Sequence, residues 1–377
     1  MAEKGKLPMI QIHENIENDF ENDSENNSED SVRLDINLEA LQESASKVFH
    51  MQCISIQKFS EGGFHKVYIL TMENGKEYIG RVAFPEYPRW KMESEVAVME
   101  YVRLNTNIPV PKIYYWCSSI DNPVGAEYIL MERLPGRRLC NVWSDYTMEK
   151  KKIILSKVID IQLALKKLTF SKIGSVFFDG KSNDQFKIGQ VVEIDFFVNG
   201  RATLLMERGP FNTAKEYVLA AIRNQILHCR TFKSQDQQNR LISMYEKLCK
   251  LVPKYFPDDE RNKFVLTHGD FDSSNILVDD TEITGVIDWE CSGALPMECL
   301  CTYPIWIMDN PMAEIIKEES EENLMLQEFF RDEMLHRDQE FISVFDKLDE
   351  EKNKFYSAVF NQDQVWEVED FLESLEQ

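Results

Sequence analysis

The string His268-Gly269-Asp270-Phe271-Asp272-Ser273-Ser274-Asn275, followed closely by Asp288, constrains this chain more than any other feature. Between Asn275 and Asp288 lies an apolar run over 276–278, a turn over 279–282 and a second apolar run over 283–287. That pattern predicts a β-hairpin. A hairpin returns to where it began, so its two ends must meet. Asn275 and Asp288 are therefore expected side by side, offering two oxygen ligands. Magnesium is typically held by one or two carboxylate or carbonyl oxygens, with phosphates and water completing its shell. An aspartate base, four intervening residues, a metal-binding Asn and a metal-binding Asp form a recurring phosphoryl-transfer arrangement. Asp270 is the expected base. His268 is expected to brace the loop beside it. The bland alternative is a polar loop before an ordinary hairpin, but it does not account for the whole string.

Two further patterns point the same way. Glu61-Gly62-Gly63-Phe64 separates two strand-like runs. Adjacent glycines allow positive φ and let backbone N–H groups approach phosphates, although a Gly-Gly turn alone is more often only a turn. Arg81 sits mid-strand among apolar residues, and Glu95 shares a helical face with Met92 and Met99. A buried carboxylate is costly unless paired. Arg81 is its natural partner, either as a structural ion pair or as a cation held over phosphates. His65, His13 and His50 lack metal-ligand spacing and are expected at the surface or in the tail. Met308, Met312, Met325 and Met334 are expected to serve packing.

Charge and composition limit the alternatives. The 377 residues carry a formal net charge of −23, which argues against binding nucleic acid or an anionic membrane. No apolar run approaches a membrane span. Eight cysteines without a CxxC pair fit reduced thiols, and together with an acidic N-terminus they suggest a cytoplasmic protein. Residues 14–30 are almost entirely Glu, Asp, Asn and Ser, and cannot bury enough apolar area to order themselves. The expected organisation is a disordered acidic tail over 1–36, a sheet-rich nucleotide-binding lobe over 37–134, and a helical lobe over 135–377 carrying the catalytic loop and substrate site. The Asn-Gly dipeptide at Asn74-Gly75 predicts one hairpin of the first lobe.

At these residues the chain resembles the aminoglycoside phosphotransferase and choline kinase superfamily, in particular its fungal branch. The strings Ile108-Pro109-Val110-Pro111, Tyr128-Ile129-Leu130-Met131-Glu132, Ile173-Gly174-Ser175 and Arg208-Gly209-Pro210 add to the likeness. The resemblance implies an α+β, bilobal, protein-kinase-like fold with a small antiparallel-sheet lobe and a large helical one. It implies ATP and magnesium as cofactors and a small-molecule hydroxyl as acceptor. By matching positions, Asp270 would be the base and Asn275 and Asp288 the metal ligands. Gly62, Gly63, Phe64, Arg81 and Glu95 would serve the phosphates, and the hinge backbone near Met131 and Glu132 would meet adenine. Arg81 departs from the lysine of protein kinases, and His65 stands where fungal relatives often carry Asn. The rival reading is a nucleotide-binding pseudokinase or scaffold. A protein kinase fits less well, because no Asp-Phe-Gly motif is present and Asp288 is followed by Trp289.

Overall fold

The computed structural model describes residues 36–180, 184–257, 263–308, 317–347, 350–360 and 365–375. The acidic tail lies outside the described residues. The chain divides into two compact units. The first comprises the described residues through Asp145, Gly180–Gln185 and the segment Asp272–Glu290. The second comprises Tyr146–Asp179, Phe186–Phe271 and the residues from Cys291 onward.

The first unit opens with α1 (Leu38–Phe49), capped by the Asn37 side chain, which accepts from the Ala40 N–H at 3.0 Å. Strands β1 (Cys53–Glu61), β2 (His65–Met72) and β3 (Glu77–Ala83) follow as antiparallel hairpins. Gly75 adopts φ 79° in the β2–β3 turn, the left-handed conformation that an Asn-Gly turn supplies at little steric cost. Helix α2 (Trp90–Asn105) leads to β4 (Ile113–Cys117) and β5 (Tyr128–Glu132). The sheet order is β1-β2-β3-β5-β4. One face packs on α1 through Leu41, Leu70, Val82 and Leu130, all essentially inaccessible to solvent. Strand β6 (Arg137–Arg138) belongs to a separate small sheet described with the site below.

The second unit is mainly helical. Its elements in order are α3 (Met148–Lys166), β7 (Thr169–Phe170), β8 (Val176–Phe178), β9 (Phe186–Ile188), α4 (Ala214–Phe232) and α5 (Gln235–Tyr255). Strand β10 (Phe264–Thr267) enters the catalytic-type loop. Beyond that loop and the hairpin β11 (Ile276–Asp279) and β12 (Glu282–Val286), strand β13 (Gly293–Pro296) pairs with β10, which also pairs with β7. Helices α6 (Lys317–Arg337), α7 (Gln339–Phe345), α8 (Glu350–Phe360) and α9 (Val365–Ser374) complete it. The core joins α4, α5, α8 and α9 through Val218, Leu248, Phe355 and Phe371. Of the methionines expected to pack, Met334 is fully buried, while Met308 and Met325 are about half exposed. Met312 lies outside the described residues.

Candidate active site

The hairpin forms as its pattern demands. Ile276 pairs with Val286 in the β11–β12 ladder, and the Ile287 N–H donates to the Asn275 carbonyl at 2.9 Å. Asn275 and Asp288 therefore emerge together, and both are buried. Strand β6 adds to the outer side of β11, with Arg138 opposite Leu277. Asp288 adopts φ 66°, a left-handed conformation that Asp tolerates better than most side chains. The next residue, Trp289, is fully buried, and its indole N–H donates to the Val286 carbonyl at 3.0 Å. That anchor holds the Asp288 backbone in place. An amide oxygen and a carboxylate on one rigid corner are the donor set magnesium accepts when phosphates and water fill the remaining positions. Among the described residues no group of three or more His, Cys, Asp and Glu gathers into a dedicated metal cage.

Below the β1–β2 turn lies a cluster of buried charge. Arg81 and Glu95 are both inaccessible, and their closest approach is 3.9 Å between Nη1 and Oε1. The nearer partner of Arg81 is His65, whose Nδ1 lies 2.8 Å from Nη2. Burial lowers the Arg81 pKa from its ordinary value to about 9, opposed by the negative charges of Asp288 and Glu95. It stays protonated at neutral pH. On the first turn of α2, Lys91 donates to the Glu290 carboxylate at 2.6 Å, with both side chains buried. Its ammonium also lies 4.9 Å from the centroid of the Phe64 ring. His65 Nε2 lies 3.4 Å from the same ammonium, so one imidazole touches both cations.

These positions correct one expectation. His65 is 1% exposed, not a surface residue. The period of two along β2 carries the signal, since His65 and the buried Val67 share a face. Gly62 and Gly63 do not adopt positive φ. The Gly62 N–H instead closes the turn by donating to the His65 carbonyl at 2.9 Å. Lys91 and Glu290 were missed altogether. Lys91 stands four residues before Glu95 on α2, so the face that buries one buries the other.

Met131 and Glu132 line a cavity of about 590 Å³ in the same unit, with Phe59, Val67, Ile79 and Leu277 as apolar walls. The Glu132 N–H is already spent on the Lys112 carbonyl at 2.8 Å. Its carboxylate accepts from the Lys112 N–H at 3.1 Å. Arg133, Arg137 and Arg138 also line this cavity, and Arg133 pairs with Glu77. An apolar slot rimmed by cations suits a flat base carrying a polyanion.

In the helical unit, Gly269 adopts φ 77° immediately before Asp270, a conformation other side chains resist. His268 is buried, and its carbonyl accepts from the Ser292 hydroxyl at 2.7 Å. The His268 and Phe271 rings pack at 5.6 Å. Asp270 and His268 line a second cavity of about 320 Å³.

The fold and this geometry define a kinase-like phosphotransferase scaffold. A family profile described as "Phosphotransferase enzyme family" matches residues 55–299, well over half of the chain, and the protein belongs to that family. A subtelomeric hrmA-associated cluster protein of Aspergillus fumigatus is 28% identical over 306 residues, covering 67% of this chain and 60% of that one. Altered inheritance of mitochondria protein 9 of Yarrowia lipolytica is 27% identical over 259 residues, covering 58% of this chain and 45% of its own length. The matches thus span roughly half to three fifths of these relatives. The solved structure of aminoglycoside phosphotransferase APH(4)-Ia has a TM-score of 0.51 at 15% identity, covering 90% of this chain and 99% of that one. A thermostable mutant of that enzyme, in ternary complex with AMP-PNP and hygromycin B, has a TM-score of 0.50 at 15% identity, covering 89% and 98%. These likenesses establish the α+β, bilobal kinase-like fold. The relatives also overturn one expectation. Several are mitochondrial by name, including those of Yarrowia lipolytica and Candida tropicalis, against the cytoplasmic placement expected from composition. Free thiols report a reducing environment without saying which compartment supplies it.

Proposed function

We propose that this protein is an ATP- and magnesium-dependent phosphotransferase that moves the γ-phosphoryl group to a hydroxyl of a small molecule. The observation that carries the reading is the hairpin that brings Asn275 and Asp288 together, both buried, directly after the Asp270 loop. Asn275 and Asp288 would hold magnesium, which offsets charge on the phosphates as the bond to the leaving group loosens. Asp270 orients the acceptor hydroxyl and takes its proton. His268 braces that loop. Arg81, steadied by Glu95 and His65, offers positive charge to the phosphates, and Phe64 with Gly62 and Gly63 forms the turn above them. The apolar slot lined by Met131 and Glu132 receives the base. The solved enzyme of this fold that holds AMP-PNP supports nucleotide as the donor.

The test is ADP release and nucleotide binding in two variants. Asp270→Asn should lower turnover by roughly 10²–10⁴-fold with nucleotide affinity largely kept, as for loss of a general base. Asp288→Ala should abolish magnesium-dependent ATP binding. Near-normal turnover in the first variant, or unchanged ATP affinity in the second, refutes these roles. Mg-ATP binding without ADP release in the unaltered protein would favour the pseudokinase reading.

A further inference from the structure

We propose that the acceptor is an uncharged alcohol with an apolar body and a second hydrogen-bond donor, not a polycationic aminoglycoside. This deepens the phosphotransferase reading and rests on it. The cavity beside Asp270 measures about 320 Å³, near the lower end of the usual range for small-molecule sites. Leu165, Phe271, Leu295, Leu300, Pro304 and Ile305 give it apolar walls. Asp270 is the one charged residue among the described residues that line it.

The carboxylates on neighbouring elements are already matched. Lys166 holds Asp338 at 2.6 Å and Glu340 at 3.0 Å. Lys352 holds Glu298 at 2.5 Å. A ligand with several ammonium groups would shed water in this cavity and find one counter-charge, which the reaction itself requires. Removing an ammonium from water without a partner is costly. An uncharged ligand meets no such barrier.

Gln162 supplies the polar part of the argument. It lines the cavity and is 2% exposed. Its Nε2 donates to the Thr302 carbonyl at 3.2 Å, which fixes the amide orientation. Its Oε1 has no hydrogen-bond partner among the described residues. A buried amide oxygen left in this state costs free energy until a donor reaches it. A second hydroxyl on the acceptor answers that need. In the step itself, the bond between the γ-phosphorus and the ADP oxygen breaks. A bond from the acceptor oxygen to phosphorus forms, and the hydroxyl proton passes to the Asp270 carboxylate.

The experiment measures ADP release from Mg-ATP by the full chain with two acceptor panels. One contains uncharged aryl-alkyl monoalcohols and diols; the other contains hygromycin B, gentamicin and streptomycin. Diols should be preferred in kcat/KM over the aminoglycosides by roughly tenfold or more, the scale on which pocket contacts discriminate. Gln162→Leu should raise KM for diols roughly tenfold while leaving monoalcohols and kcat little changed. Ile305→Glu alters an exposed wall position and so spares folding. It should shift preference away from uncharged acceptors and toward aminoglycosides. Faster turnover with aminoglycosides overturns the inference. So does Mg-ATP binding with slow hydrolysis that no uncharged alcohol accelerates, and that result leaves the phosphotransferase scaffold standing. Failure to bind Mg-ATP at all overturns the phosphotransferase reading and the inference with it.

Discussion

The two units bury charge differently. In the sheet unit Arg81, Lys91, Glu95, Glu127, Asp288 and Glu290 are buried among the described residues, and several of them touch. In the helical unit the corresponding residues are Lys151, paired with Glu322, and Arg201, whose guanidinium donates to the Gln225 amide oxygen. The helical unit's other buried polar side chains are uncharged groups and histidines, beside a main cluster that is aliphatic and aromatic. Charge in a protein interior costs several kcal/mol per ion unless the arrangement repays it. A cluster of this size in the smaller unit is hard to explain as stabilisation. The proposed function would account for it by a polyanionic ligand and a cation received in fixed geometry. The contrast fits the proposed function, in which the first unit handles nucleotide and the second the acceptor.

The largest expected effect strikes the charged cluster. Lys91→Met removes the cation 2.6 Å from the buried Glu290 carboxylate and should lower stability by about 3–5 kcal/mol, read by chemical denaturation. The double variant Lys91→Met with Glu290→Gln should recover much of that loss, because the carboxylate charge is then removed as well. If the single variant costs less than about 1 kcal/mol, the pair behaves as a surface bridge and the contrast between the units fails.

A smaller effect sharpens the helical side. Glu193 is half-buried, with its Oε2 accepting from the Tyr217 hydroxyl at 2.5 Å. Burial raises its pKa to about 8, the Tyr217 hydrogen bond works against that rise, and nearby Asp195 adds to it. Its carboxyl is therefore mostly neutral at pH 7, in keeping with a unit that tolerates little internal charge. In the unfolded chain the same group ionises near pH 4.5. Between those values the folded state keeps a proton that the unfolded state has lost. The associated stability is complete below pH 4.5 and drains away as pH rises through about 8. Melting temperature should fall across that window, and Glu193→Gln should flatten the slope. An unchanged slope would place the titration elsewhere.

How far the sequence carried the reading follows from the same contrast. The Asn275–Asp288 corner was legible because hairpin register is a backbone property that an apolar pattern dictates. The Asn-Gly turn and the burial of Glu95 were legible for similar local reasons. The partnership of Lys91 with Glu290 was not, since 199 positions separate them and only the tertiary fold joins them. His65 was misread because a histidine at a strand start carries no metal spacing, and the face it shares with Val67 went unweighed. The helical cavity was illegible for a further reason. Its walls come from α3, the loop after β10, and β13 with the segment after it, and of these only the loop carries a motif.

The smallest prediction tests whether position, and not ion pairing as such, gives the buried cluster its weight. Lys47 and Glu43 form a bridge of 3.2 Å on α1 in the same unit, with side chains 75% and 71% exposed. Water screens such a pair, and ordering two long side chains offsets most of its Coulomb gain. Lys47→Ala should change stability by no more than about 0.5 kcal/mol, and less at high salt. The Lys91 pair has a comparable contact distance, so the two variants differ chiefly in burial. A loss at Lys47 that approached the loss at Lys91 would mean that desolvation is not what separates them. The buried cluster would then need no ligand to account for it.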